Sequence, residues 1–92
     1  MSDQLPTSVK EAIPYMLSRL DEESRANLKA IPRNDLIQLH RSYGMGLRNG
    51  LGLWGQNKEL LSDPELQGMH PDDISHYLIE KLWDFLHAQD EI

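Results

Sequence analysis

The sequence has no cysteine and no long hydrophobic run. Without cysteine the chain cannot form disulfides, thiolate nucleophiles or cysteine sites for zinc and iron–sulfur clusters. The longest apolar runs are two or three residues, such as Tyr77-Leu78-Ile79, whereas a bilayer span needs about 20. The first residues also lack the basic-then-apolar order of a signal peptide. We therefore expect a cytoplasmic protein that does not associate with membranes.

Basic residues are scarce in the last third of the chain. Residues 59–92 contain nine acidic residues and one basic residue, Lys81, and the whole chain carries a formal charge of −6. A negative field repels phosphate backbones and anionic lipids but attracts basic protein surfaces. The charge therefore predicts a protein partner with a basic surface and argues against nucleic acid. The simpler alternative is that the acids only keep a small protein in solution.

The 92 residues are enough for one domain, and their pattern is helical throughout. We expect one helical domain over residues 1–92, with a polar lead at 1–6 and frayed residues at 90–92. The first helix begins at the cap Ser8, with Glu11 three residues on. Pro14 predicts either a kink in this helix or that its regular part begins at Pro14. A second, short helix follows the cap Asp21 and stops before Pro32.

The third helix is predicted as one continuous segment that starts after Asn34 or Asp35. Its apolar stripe is Leu36, Leu39, His40, Tyr43 and Leu47. Because Gly44 and Gly46 are poor helix formers, we expect another helix to approach them closely. The left-handed turn conformations at Asn49-Gly50 and Gly52 are expected to end the helix, and the glycine-rich loop 51–56 is expected to be anchored on the core by the Trp54 indole.

Two short turns, at 57–61 and after Pro64, precede a last helix that begins at Pro71. Its predicted inner face is Ile74, Leu78, Leu82, Phe85 and Leu86. The predicted fold is therefore all-α: a compact single-domain bundle of about four main helices plus one or two short helical turns, with a Gly-rich loop pinned by Trp54.

Few side chains are candidates for catalysis or metal binding, and each of them can also be explained by a structural role. His70, Asp72, Asp73 and His76 cluster at the start of the last helix, where Asp72 and His76 share a face. Acids in a first turn are also expected from the helix dipole alone. No catalytic triad, carboxylate pair or phosphate loop can be identified, so we predict no enzyme, no metal site and no cofactor.

A second group of polar residues lies around the glycine-rich loop. The group consists of His40, Tyr43, Arg48, Asn49, Trp54 and Asn57. Arg48 and the two amides could form a recognition pocket beside the indole, or they could supply hydrogen bonds that the loop backbone needs. His40 lies on the apolar stripe and is expected to be a core histidine bonded to backbone.

The sequence resembles a family of small, uncharacterised bacterial domains of unknown function. The residues that carry the resemblance are, in order, His40, Tyr43-Gly44, Leu47-Arg48-Asn49, Gly52-Leu53-Trp54, Asn57 and His70-Pro71-Asp72-Asp73. The resemblance covers roughly residues 7–87. It implies a small helical bacterial domain and supplies no activity. The sequence departs from the family pattern in its glycines Gly46 and Gly50.

Two classes of function fit these observations. The first is an acidic protein–protein interaction module, an immunity or antitoxin protein or another inhibitor, including a phage anti-defence inhibitor, that blocks a partner's basic site. Its predicted partner-binding residues are Asp72, Asp73, His76, Tyr77, Glu80, Trp83 and Asp84. The alternatives are a small-ligand or metal-binding module built on the Arg48/Asn49/Trp54/Asn57 loop, and a homo-oligomeric adaptor in which the last helix meets a second copy as a homodimer.

Overall fold

Helices account for all the regular structure in the computed structural model, which describes residues 5–90 and, for 89 and 90, only the backbone. The helices are α1 (Val9–Ser18), α2 (Glu22–Ala30), α3 (Tyr43–Gly50), α4 (Lys58–Leu61) and α5 (Pro71–Asp90), with 3₁₀ segments at Arg33–Leu39 and Pro64–Leu66. The all-α, single-domain prediction is confirmed. Within the described residues no helix is long and apolar enough to cross a membrane.

The starts of the first two helices follow from local side-chain caps. Ser8 Oγ accepts the Glu11 N–H at 3.2 Å, and Asp21 Oδ1 accepts the Ser24 N–H at 2.8 Å. The Glu11 carboxylate reaches back one residue further than a capping box requires, to the Thr7 N–H at 2.9 Å. The helix α1 continues through Pro14. The proline therefore removes one backbone hydrogen bond from the helix but does not interrupt it.

The predicted third helix is wrong as a single segment. It divides into the 3₁₀ segment Arg33–Leu39 and helix α3, separated by a turn at 40–42. The helix α3 also continues through Asn49 and Gly50, which do not adopt the left-handed turn conformation expected of them; on this stretch only Gly52 and Gly55 have positive φ. In the turn between the two segments, the His40 carbonyl faces the buried Arg48 side chain of α3.

The long helix α5 is the centre of the fold. It packs against α1, α2, α3 and the first 3₁₀ segment. Ile74, Leu78, Ile79, Leu82 and Leu86 are all buried. Ile79 does not belong to the predicted inner face, and it is buried because helices pack on more than one side of α5. Phe85 was expected inside, and this prediction is wrong because its side chain is 40% exposed.

The glycine-rich loop is anchored by its leucines. Leu51 and Leu53 are each 1% exposed, whereas Trp54 is 52% exposed and points away from the core. The prediction that the indole pins the loop is therefore wrong. Gly52, at a φ of +70°, allows the chain to turn back so that the Asn57 N–H reaches the Gly52 carbonyl at 2.9 Å.

Two long-range hydrogen bonds tie the start of the chain to the second half. Asn57 Nδ2 donates to the Pro6 carbonyl at 2.9 Å, and the Val9 N–H donates to Asp63 Oδ2 at 2.8 Å. Part of the polar lead is thus attached to the domain. Residues 1–4 of that lead, and residues 91 and 92 of the predicted frayed end, lie outside the described residues, while α5 continues to position 90.

We expect the Asp63→Asn variant to be less stable than the wild type at neutral pH and to approach it in acid. Hydrogen bonds from the N–H groups of Val9 and Glu65 hold the pKa of Asp63 below its usual value. Because the pKa is lowered in the folded state, the stabilisation is present above the unfolded pKa of about 3.9 and is lost as the pH falls through the folded pKa.

Urea denaturation from neutral pH down to about pH 2 measures this dependence. The exposed Asp35→Asn variant serves as the matched control. A stability difference between Asp63→Asn and wild type that stays constant over this range would contradict the assigned role of Asp63.

Candidate functional site

A buried arginine joins α3 to the start of α5. Arg48 is 4% exposed, and its guanidinium donates through Nη1 to Ser75 Oγ at 2.9 Å and through Nη2 to the His40 carbonyl at 3.1 Å. Its Nε lies 3.3 Å from Asp72 Oδ1. The planar guanidinium has donors in several directions, which is why one side chain can serve three groups, two on α5 and one in the turn at 40–42. Arg48 therefore has a structural role in this domain.

Gly44 makes room for the guanidinium. A Cβ atom at this position would lie 3.2 Å from Arg48 Nη1, 3.3 Å from the Leu39 carbonyl oxygen and 3.6 Å from Ser75 Oγ. The expected close approach of another helix is thus found at Gly44, against α5. It is not found at Gly46, where a Cβ would meet nothing within 4 Å.

Two histidines flank the Asp72 carboxylate at the surface. His40 Nε2 and His70 Nδ1 lie 3.9 and 3.8 Å from Asp72 Oδ2, and His70 Nδ1 also accepts the Asp72 N–H at 3.1 Å. The expectation of a core histidine at position 40 is wrong, because its side chain is one third exposed and faces Asp72. Across residues 5–90 no group of three or more His, Asp or Glu side chains could hold a metal ion.

Asn57 and Tyr43 belong to the packing of the domain. Asn57 is buried, and its Oδ1 caps α4 by accepting the Leu60 N–H at 3.2 Å, while its Nδ2 holds the Pro6 carbonyl. Tyr43 packs against the core, and burial raises its pKa to about 12. The predicted loop cluster is therefore brought together only in part: His40 and Arg48 meet, and Asn57 and Tyr43 act elsewhere.

Trp54 and Asn49 form the exposed part of the predicted loop cluster. The Trp54 indole N–H donates to Asn49 Oδ1 at 3.1 Å, and the ring meets the edge of His70 at a centroid distance of 6.3 Å. Trp54 and His70 line a groove of about 440 Å³ between the loop and the start of α5, together with Leu53, Leu61, Leu66 and Met69. We call this surface the Trp54 groove.

The acidic residues of the last third do not form one free face. Arg33 binds Asp84 through two hydrogen bonds of 3.0 and 3.1 Å and lies 3.5 Å from Glu80. The guanidinium also holds the pKa of Asp84 below its usual value. Asp72 has Arg48 as its counterion, whereas Asp73 is exposed at the start of α5. The acidic residues of the last third are thus partly neutralised by Arg33 and Arg48.

The aromatic residues expected to anchor a partner on α5 have internal contacts. The Trp83 indole N–H donates to the Ile31 carbonyl at 2.8 Å, and its ring stacks on His87 at 3.7 Å. The Tyr77 hydroxyl donates to the Glu65 carboxylate, and this hydrogen bond raises the pKa of Tyr77. Trp83 therefore joins α5 to the end of α2, which corrects its assignment as a free anchor.

His76 forms a different pair from the one expected. Its Nε2 lies 3.4 Å from Glu80 Oε2, one turn further along α5, whereas Asp72 faces His40 and His70. The His76 Nδ1 is buried and has no hydrogen-bond partner among the described residues. The predicted Asp72–His76 pair is therefore wrong, because Arg48 draws Asp72 toward α3.

Two residues of these networks were missed by the sequence reasoning. Ser75 is fully buried beside Ile74, and a serine on the apolar side of a helix was a signal that it needs a buried partner. Arg33 lies 51 residues from Asp84, and nothing in the local sequence indicates that pairing. Both contacts are tertiary.

The chain belongs to the family DUF6794, a domain of unknown function, which matches residues 5–86. The expectation of an uncharacterised domain family is thereby confirmed. No match was found among curated proteins or among solved structures.

Proposed function

We propose that this domain is a protein-binding module of the inhibitor class, an immunity or antitoxin protein in a bacterial cytoplasm, and that the Trp54 groove is its contact surface. One observation carries the proposal: Trp54 is 52% exposed, yet Asn49 and His70 hold its ring at the edge of a groove. An exposed aromatic side chain with a fixed orientation loses little conformational entropy on binding, which is how interface hot spots gain affinity.

The surroundings of Trp54 resemble the anatomy of a protein interface. The floor of the groove includes the apolar side chains Leu61 and Met69, and its edge includes His70. Met45 on α3 is 51% exposed and lies one helical turn before Asn49, the residue that accepts the indole N–H. Interfaces of this type combine an aromatic anchor with an apolar floor and a polar rim.

The charge near the groove favours a basic partner. Asp73 is exposed in the first turn of α5, two residues after Pro71, which lines the groove. An acidic group close to the groove attracts a basic surface from a distance and raises its association rate. A partner whose active surface binds an anionic substrate would be blocked by this contact, which is the action of an inhibitor. A phage anti-defence inhibitor would use the same chemistry.

The alternative of a small-ligand pocket has less support. Arg48 and Asn57, which would supply its polar contacts, are buried and already bonded to Ser75, the His40 carbonyl and the Pro6 carbonyl. A ligand would have to displace those bonds and leave buried groups unpaired. A homo-oligomeric adaptor remains a second hypothesis, and the mass of the purified protein in solution tests it.

We expect the Trp54→Ala variant to bind its partner at least about tenfold more weakly than the wild type. The partner is first identified by cross-linking the tagged protein in the cells that produce it. Dissociation constants are then measured for wild type, Trp54→Ala and the control Ile37→Ala, whose side chain is 58% exposed outside the groove. Circular dichroism verifies that each variant is folded.

The charge component is tested separately with Asp73→Lys. We expect a slower association and a weaker dependence of the association rate on salt. Equal affinities for wild type and Trp54→Ala, together with an unchanged association rate for Asp73→Lys, would contradict the proposal.

A further inference from the structure

A second groove lies between α1 and α5, away from the Trp54 groove. It has a volume of about 490 Å³, and its floor consists of Ile13 and Pro14 from α1 with Phe85 and Ala88 from α5. Phe85 is 40% exposed although it belongs to a helix that is otherwise well covered. We call this surface the Phe85 groove. An apolar strip between two helices is the shape that accepts the apolar face of a third helix.

Two lysines lie at the edges of the Phe85 groove. Lys10 and Lys81 both line it, and Lys81 is the basic residue that stands alone among the acids of positions 59–92. The Lys81 ammonium lies 5.2 Å from the centre of the Tyr77 ring. The carboxylate of Asp84, which also lines the groove, is held by Arg33. Two lysines therefore border an apolar floor on a chain that is acidic overall.

Pro14 adds a hydrogen-bond acceptor to the same groove. A proline has no N–H, so the carbonyl of Lys10, four residues earlier in α1, receives no α-helical hydrogen bond from position 14. Both Lys10 and Pro14 line the groove. A polar side chain of a docked segment can donate to this carbonyl.

We infer that the Phe85 groove binds one amphipathic helix of a partner protein, with apolar residues spaced for one helix face and Asp or Glu residues flanking them. The apolar floor of the groove packs against the apolar face of the partner helix, and Lys10 and Lys81 attract its acidic flanking residues. This inference goes beyond the proposed function. The Trp54 groove lies beside the first turn of α5 and the Phe85 groove beside its last turns. The two grooves are about 20 Å apart along the helix, so the domain can contact two partners at once.

The test uses two fluorescent synthetic helical peptides with the same leucine spacing, one flanked by glutamates and the other by lysines. We expect the glutamate peptide to bind at least about tenfold more tightly than the lysine peptide. The Phe85→Ala variant should weaken its binding by about tenfold or more. The double variant Lys10→Ser with Lys81→Ser should abolish the preference for glutamate, while the exposed control Ile37→Ala should bind as the wild type does.

Failure of this inference can be distinguished from failure of the proposed function. The Trp54→Ala variant should bind the glutamate peptide normally, because the peptide occupies the other groove. Absence of binding, equal binding of both peptides, or binding that Phe85→Ala does not change would overturn the inference. A dimer in light scattering that Phe85→Ala dissociates would also overturn it, because a second copy would then be the occupant.

Discussion

The Arg48→Ala variant is expected to lose roughly 2–4 kcal/mol of unfolding free energy. The substitution removes donors from the Ser75 hydroxyl, the His40 carbonyl and Asp72, and it leaves a cavity where the guanidinium was. The Ser75 hydroxyl is fully buried and the bond to the His40 carbonyl is partly buried, so solvent replaces these lost bonds poorly. For a domain of this size the melting temperature should fall by roughly 10–25 °C.

Arg48→Lys is the conservative variant for this experiment. It keeps the positive charge near Asp72 but lacks the planar guanidinium. Its free energy of unfolding should therefore lie between those of the wild type and Arg48→Ala. Arg41→Ala, at an exposed arginine, should be nearly neutral. If Arg48→Ala unfolds at the wild-type urea concentration and instead loses the binding of a small ligand, the residue lines a ligand pocket and its structural role is refuted.

The Gly52→Ala variant is expected to lose a similar amount, roughly 2–4 kcal/mol. Gly52 has a φ of +70°, which alanine adopts only with strain. A Cβ there would also lie 3.0 Å from the backbone nitrogen of Asn57 and 3.1 Å from its Cβ. Because the alanine Cβ would press on a backbone atom, the contact can be relieved only if the loop moves. Trp54 lies on this loop and would move with it. Urea denaturation followed by tryptophan fluorescence measures both effects.

Gly68→Ala separates the two causes of that loss. Gly68 has a φ of +80°, but a Cβ at this position would meet nothing within 4 Å. The variant therefore carries the backbone strain without the crowding, and we expect a loss of about 1–2 kcal/mol. Equal losses at positions 52 and 68 would show that the contact with Asn57 contributes little.

The parts of the fold that could be predicted are those with local causes. Ser8 and Asp21 cap their helices through side-chain hydrogen bonds within three residues. Pro71 starts α5 at the expected position because a proline fits the first turn. The apolar spacing of α5 also identified most of its buried face. These signals require no knowledge of the rest of the molecule.

The parts that could not be predicted depend on residues far apart in the chain. The turn at 40–42 interrupts a continuous apolar stripe, and there the His40 carbonyl faces Arg48. The acidic surface was overestimated because Arg33 reaches Asp84 across 51 residues. Phe85 was assigned to the core by its helical spacing and Trp54 as the apolar anchor of a loop, whereas their exposure is decided by which neighbours the tertiary fold leaves available.

The position of α5 determines when this domain can fold during synthesis. The other main helices pack on α5, yet α5 is translated after them. A ribosome adds roughly 5–20 residues per second, so for several seconds the nascent chain presents Met16, Leu36 and Leu47 with no helix to cover them. We therefore expect the core to form only after α5 has left the exit tunnel, and a chain truncated before Pro71 to stay unfolded.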